Sequence, residues 1–345
     1  MISSILNGQT FQLVKDENPS DIGLSMNCSF REMNGKLYYL FSGESTLGNI
    51  ALYTSDGTAT GTYRISPSNV SVSGNIIISG NKIYFFATDG INGKEPWVSD
   101  GTLAGTQLLK NIHPTTVDNN FDTSSVRFLS ADATKAFFIA NDGTTGNELW
   151  VTDGTAAGTN LVLDIFQGTN SSQIEIAPSA IGNNIKDGKL YFFALNGSGS
   201  FSTNGKEPWV SDGTSLGTFM LKDINTSSNN GSTGTAYSKH FIEYNGKMYF
   251  YAIGSTAVSY AIYETDGTTT GTSLFKSLDR VDEFIVKDNL LYFTCVNGPS
   301  VWTSDGTLSG TTQIATIPNG QLNNVATCQM TIANNELFFR VISSS

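Results

Sequence analysis

An all-β chain built as a seven-bladed β-propeller, with four antiparallel strands per blade, is the fold the sequence predicts. The first observation is a phrase repeated six times in one register, at residues 53–62, 97–106, 150–159, 209–218, 263–272 and 302–311. Each copy has an aromatic residue, two residues of which the second is Ser or Thr, then Asp-Gly-Thr, two variable residues and Gly-Thr. The second observation is the step between motif aspartates Asp56, Asp100, Asp153, Asp212, Asp266 and Asp305: 44, 53, 59, 54 and 39 residues. A period near 40–50 residues is that of a propeller or solenoid made of one repeated unit. The third is a pair of complementary ends, residues 8–16 reading as the last strand of a unit and residues 334–339 as a turn and second strand.

Each element of the unit has its own signal. Strand A leads into an Asn-Gly or Asp-Gly turn, as at Asn34-Gly35, Asp187-Gly188 and Asn245-Gly246, followed by the β-prone runs 36–39, 189–193 and 247–250. Such dipeptides between β-prone runs mark type I′ hairpins, because both central residues need positive φ. Strand C carries the aromatic of the phrase, Asp-Gly-Thr makes the turn, and strand D follows at 108–112, 161–165 and 220–224. The expected units are 24–66, 74–112, 125–165, 176–224, 239–277 and 282–317. Residues 325–345 supply the inner strands of a closing blade and 1–18 its outer part, which ties the termini together and removes sheet edges. Six blades with loose ends is the alternative. A second Asp-Gly-Thr at Asp142 falls outside the register.

Composition narrows the class. The 345 residues carry a formal charge of −11 and only 14% charged residues, with arginines at 31, 64, 127, 280 and 340. Clustered Lys and Arg are what a phosphate backbone requires, so nucleic acid is excluded as a partner. No apolar run of about 18 residues suggests a membrane-spanning helix, and the first residues lack the basic start and apolar core of a signal peptide. Cys28, Cys295 and Cys328 suit neither a disulfide framework nor a zinc site and read as free thiols. Cys28 and Cys328 nevertheless hold the same position in the first and last units, so proximity in a closed ring is open to test.

The repeated carboxylate has a structural explanation: Asp caps backbone amides, Gly supplies positive φ and Thr bonds locally. Trp97, Trp150, Trp209 and Trp302 alternate onto a buried face of strand C. These residues resemble the bacterial repeat E-L-W-x-T-D-G-T-x-x-G-T of large secreted or surface proteins, which residues 148–159 match at every fixed place. Other copies depart from it, with Pro96 and Pro208 for Leu, Tyr53 and Tyr263 for Trp, and no Glu before the first, fifth and sixth phrases. The resemblance implies an extracellular propeller and brings no catalytic residues. The turn is also similar to the Asp-box of sialidase-like propellers, itself structural.

Function is expected at the other end of the unit, where the B–C loops 42–49, 196–206 and 254–261 and the D–A links 111–125, 167–176 and 225–239 vary. Ligand-binding candidates there are His113, Asp118, Phe121, Asp122, Phe201, Tyr237, His240 and Tyr260: histidines as base or ligand, aromatics to stack on sugar rings. A solvated histidine and a loop-pinning aromatic are the plainer readings. Asp89, Asn92 and Glu95, echoed by Asp142 and Glu148, offer oxygens to Ca²⁺, against which stands ordinary turn capping. No other cofactor is expected. Three functions follow: a non-enzymatic recognition or adhesion module for a glycan or an extracellular protein surface, as a monomeric domain or part of a larger assembly; a spacer in a large surface protein; and a glycoside hydrolase or lyase, which needs a carboxylate pair that the sequence does not identify.

Overall fold

A computed structural model describes Val14 and residues 30–42, 49–113, 126–176, 184–198, 201–226, 241–254, 260–278, 281–295, 300–316 and 329–340. Every regular element among them is a β-strand. The first sheet runs β1 (Arg31–Met33), β2 (Lys36–Ser42), β3 (Ile50–Ser55) and β4 (Tyr63–Arg64), and the second β5 (Ser71–Ser79), β6 (Lys82–Thr88), β7 (Lys94–Ser99) and β8 (Gln107–Leu108). The third holds β9 (Arg127–Ala131), β10 (Ala136–Asn141), β11 (Asn147–Thr152) and β12 (Asn160–Leu163). Each is a meander whose spatial order follows the chain, which is the expected A-B-C-D unit.

The fourth sheet departs from the pattern. It contains β13 (Phe166–Gln167), β14 (Ile185–Lys186), β15 (Lys189–Ser198), β16 (Phe201–Ser211) and β17 (Thr218–Met220). Strand A is assembled in pieces along one edge of β15. β14 pairs antiparallel at its start, Glu175 bridges Phe193, and β13 pairs parallel with Gly197 and Ser198. The loop expected at 196–206 is therefore mostly strand, because β15 and β16 stay paired past a bulge to Ser198↔Phe201, and the link expected at 167–176 lies along that hairpin.

The regular meander returns in the fifth sheet, β18 (Phe241–Tyr244), β19 (Lys247–Ile253), β20 (Tyr260–Thr265) and β21 (Ser273–Ser277), and in the sixth, β22 (Val281–Lys287), β23 (Leu290–Cys295), β24 (Ser300–Ser304) and β25 (Thr312–Thr316). A hairpin, β26 (Gln329–Ala333) and β27 (Glu336–Arg340), ends the series, and Glu283 accepts a hydrogen bond from the Met330 amide. The N-terminal partner expected for that hairpin, like Cys28 and Cys328, lies outside the described residues. Cys295 is buried.

Contacts divide the chain into two compact units, Met1–Gly143 with Val151–Asn160, and Thr144–Trp150 with Leu161–Ser345. In the first, Met33, Leu40, Leu52, Val72, Ile83, Phe85 and Trp97 pack into one core drawn from two successive sheets. The second contains equivalent cores, one around Phe193, Phe241 and Phe250, another around Tyr249, Ile262 and Phe293. Four of the phrase aromatics stack on their strand B partners, Tyr53 on Tyr39, Trp97 on Phe85, Tyr263 on Phe250 and Trp302 on Phe293. The A–B turns are also as expected, with φ of 54° and 74° at Asn34-Gly35 and 49° and 75° at Asn245-Gly246.

Candidate functional site

The phrase turn is complete in itself. In the first copy Asp56 Oδ1 accepts from the Thr58 amide at 2.9 Å and its hydroxyl at 2.7 Å, and Thr58 Oγ1 accepts from the Gly61 amide at 2.9 Å. Thr62 then donates to the Thr58 carbonyl and meets Ser55, whose hydroxyl caps the Gly57 amide. The network recurs at Asp100, Asp153, Asp212, Asp266 and Asp305. A Cβ at the second glycine has no room: at Gly217 it would lie about 2.1 Å from the Asp212 carboxylate. Hydrogen bonds from Thr hold Asp56, Asp153, Asp266 and Asp305 below the usual carboxylate range. With Oδ1 of each committed to its own turn, these aspartates serve as scaffold.

The opposite end of the sheets also uses carboxylates, but buried ones. Glu95, Glu148 and Glu207 precede the phrase tryptophan by two residues and are at most 2% exposed. Glu95 accepts from the amides of Ile112 at 3.0 Å and His113 at 2.9 Å, and Glu207 from those of Ile224 at 2.8 Å and Asn225 at 3.1 Å. Glu148 takes three: Ile165 at 3.1 Å, Phe166 at 3.4 Å and Ser172 at 3.0 Å. A glutamate on strand C thus clasps the start of the D–A link 17 and 18 residues later. Burial, opposed by those hydrogen bonds, pushes Glu95 and Glu207 up to about 7 and Glu148 to about 8, with Asp89, Asp223 and Asp164 adding repulsion.

Carboxyl groups with such raised values are candidates for general acids. Here they are inaccessible and their oxygens are filled by backbone amides, so they position loops instead of meeting substrate. The first, fifth and sixth sheets have Ala51, Ala261 and Ser300 at this place. In the first, Arg64 does the clasping from the other side, its guanidinium donating to the carbonyls of Ser66 at 2.8 Å, Pro67 at 2.6 Å and Val70 at 3.1 Å.

The sequence-predicted residues divide accordingly. His113 lies at the clasped link, its imidazole against Gly143 in the Asp142 turn, so a link and a B–C loop do meet here. Asp89 caps the amides of Ile91 and Asn92, both at 2.8 Å, and takes the Asn92 side chain at 2.7 Å, leaving Asn92 Oδ1 to hold Asn111 at 2.9 Å. The Ca²⁺ set of Asp89, Asn92, Glu95, Asp142 and Glu148 is thus occupied in large part by turn and link capping. Among the described residues no cluster of three or more His, Cys, Asp or Glu side chains is placed to hold a metal ion. Tyr260 stacks on the buried Tyr251 at 5.9 Å and 11°, the loop-pinning alternative. Phe201 opens β16, and its side chain lies outside the described part, as do residues Asp118, Phe121, Asp122, Tyr237 and His240.

Three features at this end escaped the sequence reading. Glu207 shares its surroundings with Glu95, and the identical blocks at 92–102 and 204–214 (Asn-Gly-Lys-Glu-Pro-Trp-Val-Ser-Asp-Gly-Thr) signalled it. Lys206, buried, pairs with Glu175 at 2.7 Å. Ile91, 70% exposed, stands at the tip of the second B–C loop.

No protein-family model and no curated protein sequence matches the chain. Among solved structures it is similar to an oligogalacturonate lyase in complex with manganese, at 11% identity over 84% of this chain and 76% of that one, TM-score 0.43. A polysaccharide lyase, Uly1, is similar at 9% identity over 97% and 89%, TM-score 0.45. A prolyl endopeptidase is similar at 11% identity and a TM-score of 0.44, and the chain covers 46% of its length. Likenesses at these values transfer no activity and no residue roles to this chain. No helix among the described residues is long and apolar enough to cross a membrane.

Proposed function

We propose that the chain is an extracellular recognition or adhesion module, a seven-bladed propeller of the E-L-W-x-T-D-G-T-x-x-G-T type that binds a glycan or a surface partner through its B–C loops and D–A links. The observation that carries this reading is the contrast between the two ends of the sheets. Six turns at one end repeat one network of local hydrogen bonds, whereas the other end is held in place by buried groups and differs from sheet to sheet. A rigid scaffold with variation confined to one set of loops is how repeat proteins present binding surfaces. Closure into seven blades rests on the complementary sequences of residues 8–16 and 334–339.

Catalysis is the weaker reading, because the described carboxyl groups best tuned as acids are sealed from substrate. A spacer without a ligand is the simplest rival. A glycan array and a pull-down against cell-surface polysaccharide test the proposal, using wild type, Ile91→Asp with His113→Ala, and Leu216→Asp at the exposed phrase turn. Recognition by the loop end predicts that the first variant loses binding at least tenfold and the second keeps it. No binding at all favours the spacer, and binding lost in Leu216→Asp instead puts recognition at the phrase turns and overturns the loop-end reading.

A further inference from the structure

We propose that the sixth sheet and the open edge of β27 form one docking site, which takes a β-strand ending in an Asp-Gly-Thr turn, contributed by a polypeptide segment outside these 345 residues. The repetition within the molecule identifies it. In four sheets a strand B tyrosine, Tyr38, Tyr84, Tyr191 or Tyr249, pairs with the residue after the phrase aromatic and is buried. Each hydroxyl end lies against the first glycine of the phrase turn in the next sheet, Gly101, Gly154, Gly267 or Gly306. The fit is close: a Cβ at Gly154 would lie 2.5 Å from Tyr84 Oη, and one at Gly267 2.6 Å from Tyr191 Oη. Two of these seats are tied further, by Lys82 donating to the Asp153 carbonyl at 2.8 Å and Asn245 to that of Asp305 at 3.1 Å.

Tyr292 on β23 holds the same register, opposite Thr303, yet it is only half-buried. The outer strand repeats the contrast. Ile65, Leu109, Leu221 and Phe275 each follow the strand D residue paired with the phrase aromatic, and all are buried. Ile314 on β25 is their equivalent and is 54% exposed. Elsewhere this position shares a core with the following sheet, Ile65 with Val72, Leu221 with Phe241 and Phe275 with Phe284. After the sixth sheet comes the β26–β27 hairpin, whose Met330 amide is held by Glu283 on the inner strand β22. Among the described residues β27 pairs with β26 alone, whereas strand B of every complete sheet has strand C on its other side. A strand added to that edge stands where strand C stands in the other sheets, and its turn reaches Tyr292. Both vacancies therefore require the same element. The six phrases of this chain each lie in a strand C paired within its own sheet, so a second copy has none to spare. Val14, the one described residue before residue 30, is exposed and outside every strand.

The inference rests on the seventh sheet of the reading above and not on its glycan; the two are assayed with different ligands and fail separately. Fluorescence anisotropy of a labelled peptide copying residues 147–163, the strand C, turn and strand D of the third sheet, titrated with the full chain, is the test. Saturable binding is expected. It weakens about tenfold or more when the chain carries Tyr292→Ser or Ile314→Asp. The peptide bearing Gly154→Ala binds as weakly, because its methyl group occupies the space of the tyrosine hydroxyl and strains the turn. Leu103→Asp, at the exposed second phrase turn, leaves the affinity unchanged. If Tyr292→Ser does not fold, Ile314→Asp, at an exposed position, still decides. No binding by the wild-type chain, equal binding of a scrambled peptide, or affinity indifferent to the chain variants overturns the proposal. So does a dimer in sedimentation that Ile314→Asp dissociates, because a second copy is then the occupant.

Discussion

The two ends of the repeated sheet use the same device under opposite conditions. At the phrase turn an exposed aspartate accepts an amide and a hydroxyl from one threonine, and its acidity is strengthened. At the link a buried glutamate accepts two or three amides, and its acidity is weakened. The hydrogen bonds pull both groups the same way; exclusion of water reverses the outcome. A carboxylate with a shifted pKa therefore marks structure at both ends, and accessibility is what separates it from a catalytic group.

The contrast breaks most visibly at Glu148. Glu148→Ala strands the amides of Ile165, Phe166 and Ser172 in a buried site, which lowers stability by about 4 kcal/mol in denaturant unfolding. Gly217→Ala comes next. Its Cβ displaces the Asp212 carboxylate and opens one turn, a loss of about 2–3 kcal/mol by the same measurement.

Much of this was legible beforehand, for physical reasons. The turns announced themselves because Asn-Gly and Asp-Gly-Thr satisfy local backbone needs, and the order of strands followed from them. The clasp was half visible: Glu95 lies two residues before Trp97 on one strand, and period-two alternation already places it on the buried face of that tryptophan. Its sequence neighbourhood suggests only a Ca²⁺ ligand or a local turn cap, because its partners, Ile112 and His113, are 17 and 18 residues away, and no local pattern encodes that meeting. The parallel strand β13 was hidden for the same reason, since two residues pairing with the far end of a long hairpin leave no periodicity.

Stability against pH sharpens the comparison further. Glu95, Glu148 and Glu207 have raised folded values, so their contribution is full below about 4.5 and is lost as pH rises towards about 7 to 8. Asp153 and Asp266 have lowered ones, so theirs is present above 3.8 and lost as pH falls through the folded values. The thermal midpoint is expected to peak near pH 4–5, to fall by several degrees towards pH 8, and to lose most of that alkaline fall in the Glu95→Gln, Glu207→Gln double variant. The smallest effect belongs to the exposed turn: Asp153→Asn keeps an acceptor for Thr155 and shifts the midpoint less than any of the glutamate changes.

Carbon-13 NMR of the side-chain carboxyl carbons puts the central claim, that solvent decides the fate of two chemically similar clasps, to its most direct test. In one titration of the folded protein Glu148 is expected to titrate near pH 8, Glu95 and Glu207 near 7, and Asp153 and Asp266 below 3.8. Midpoints near 4.5 for the three glutamates would mean that water reaches them, and the distinction between the two ends of the sheet would be lost.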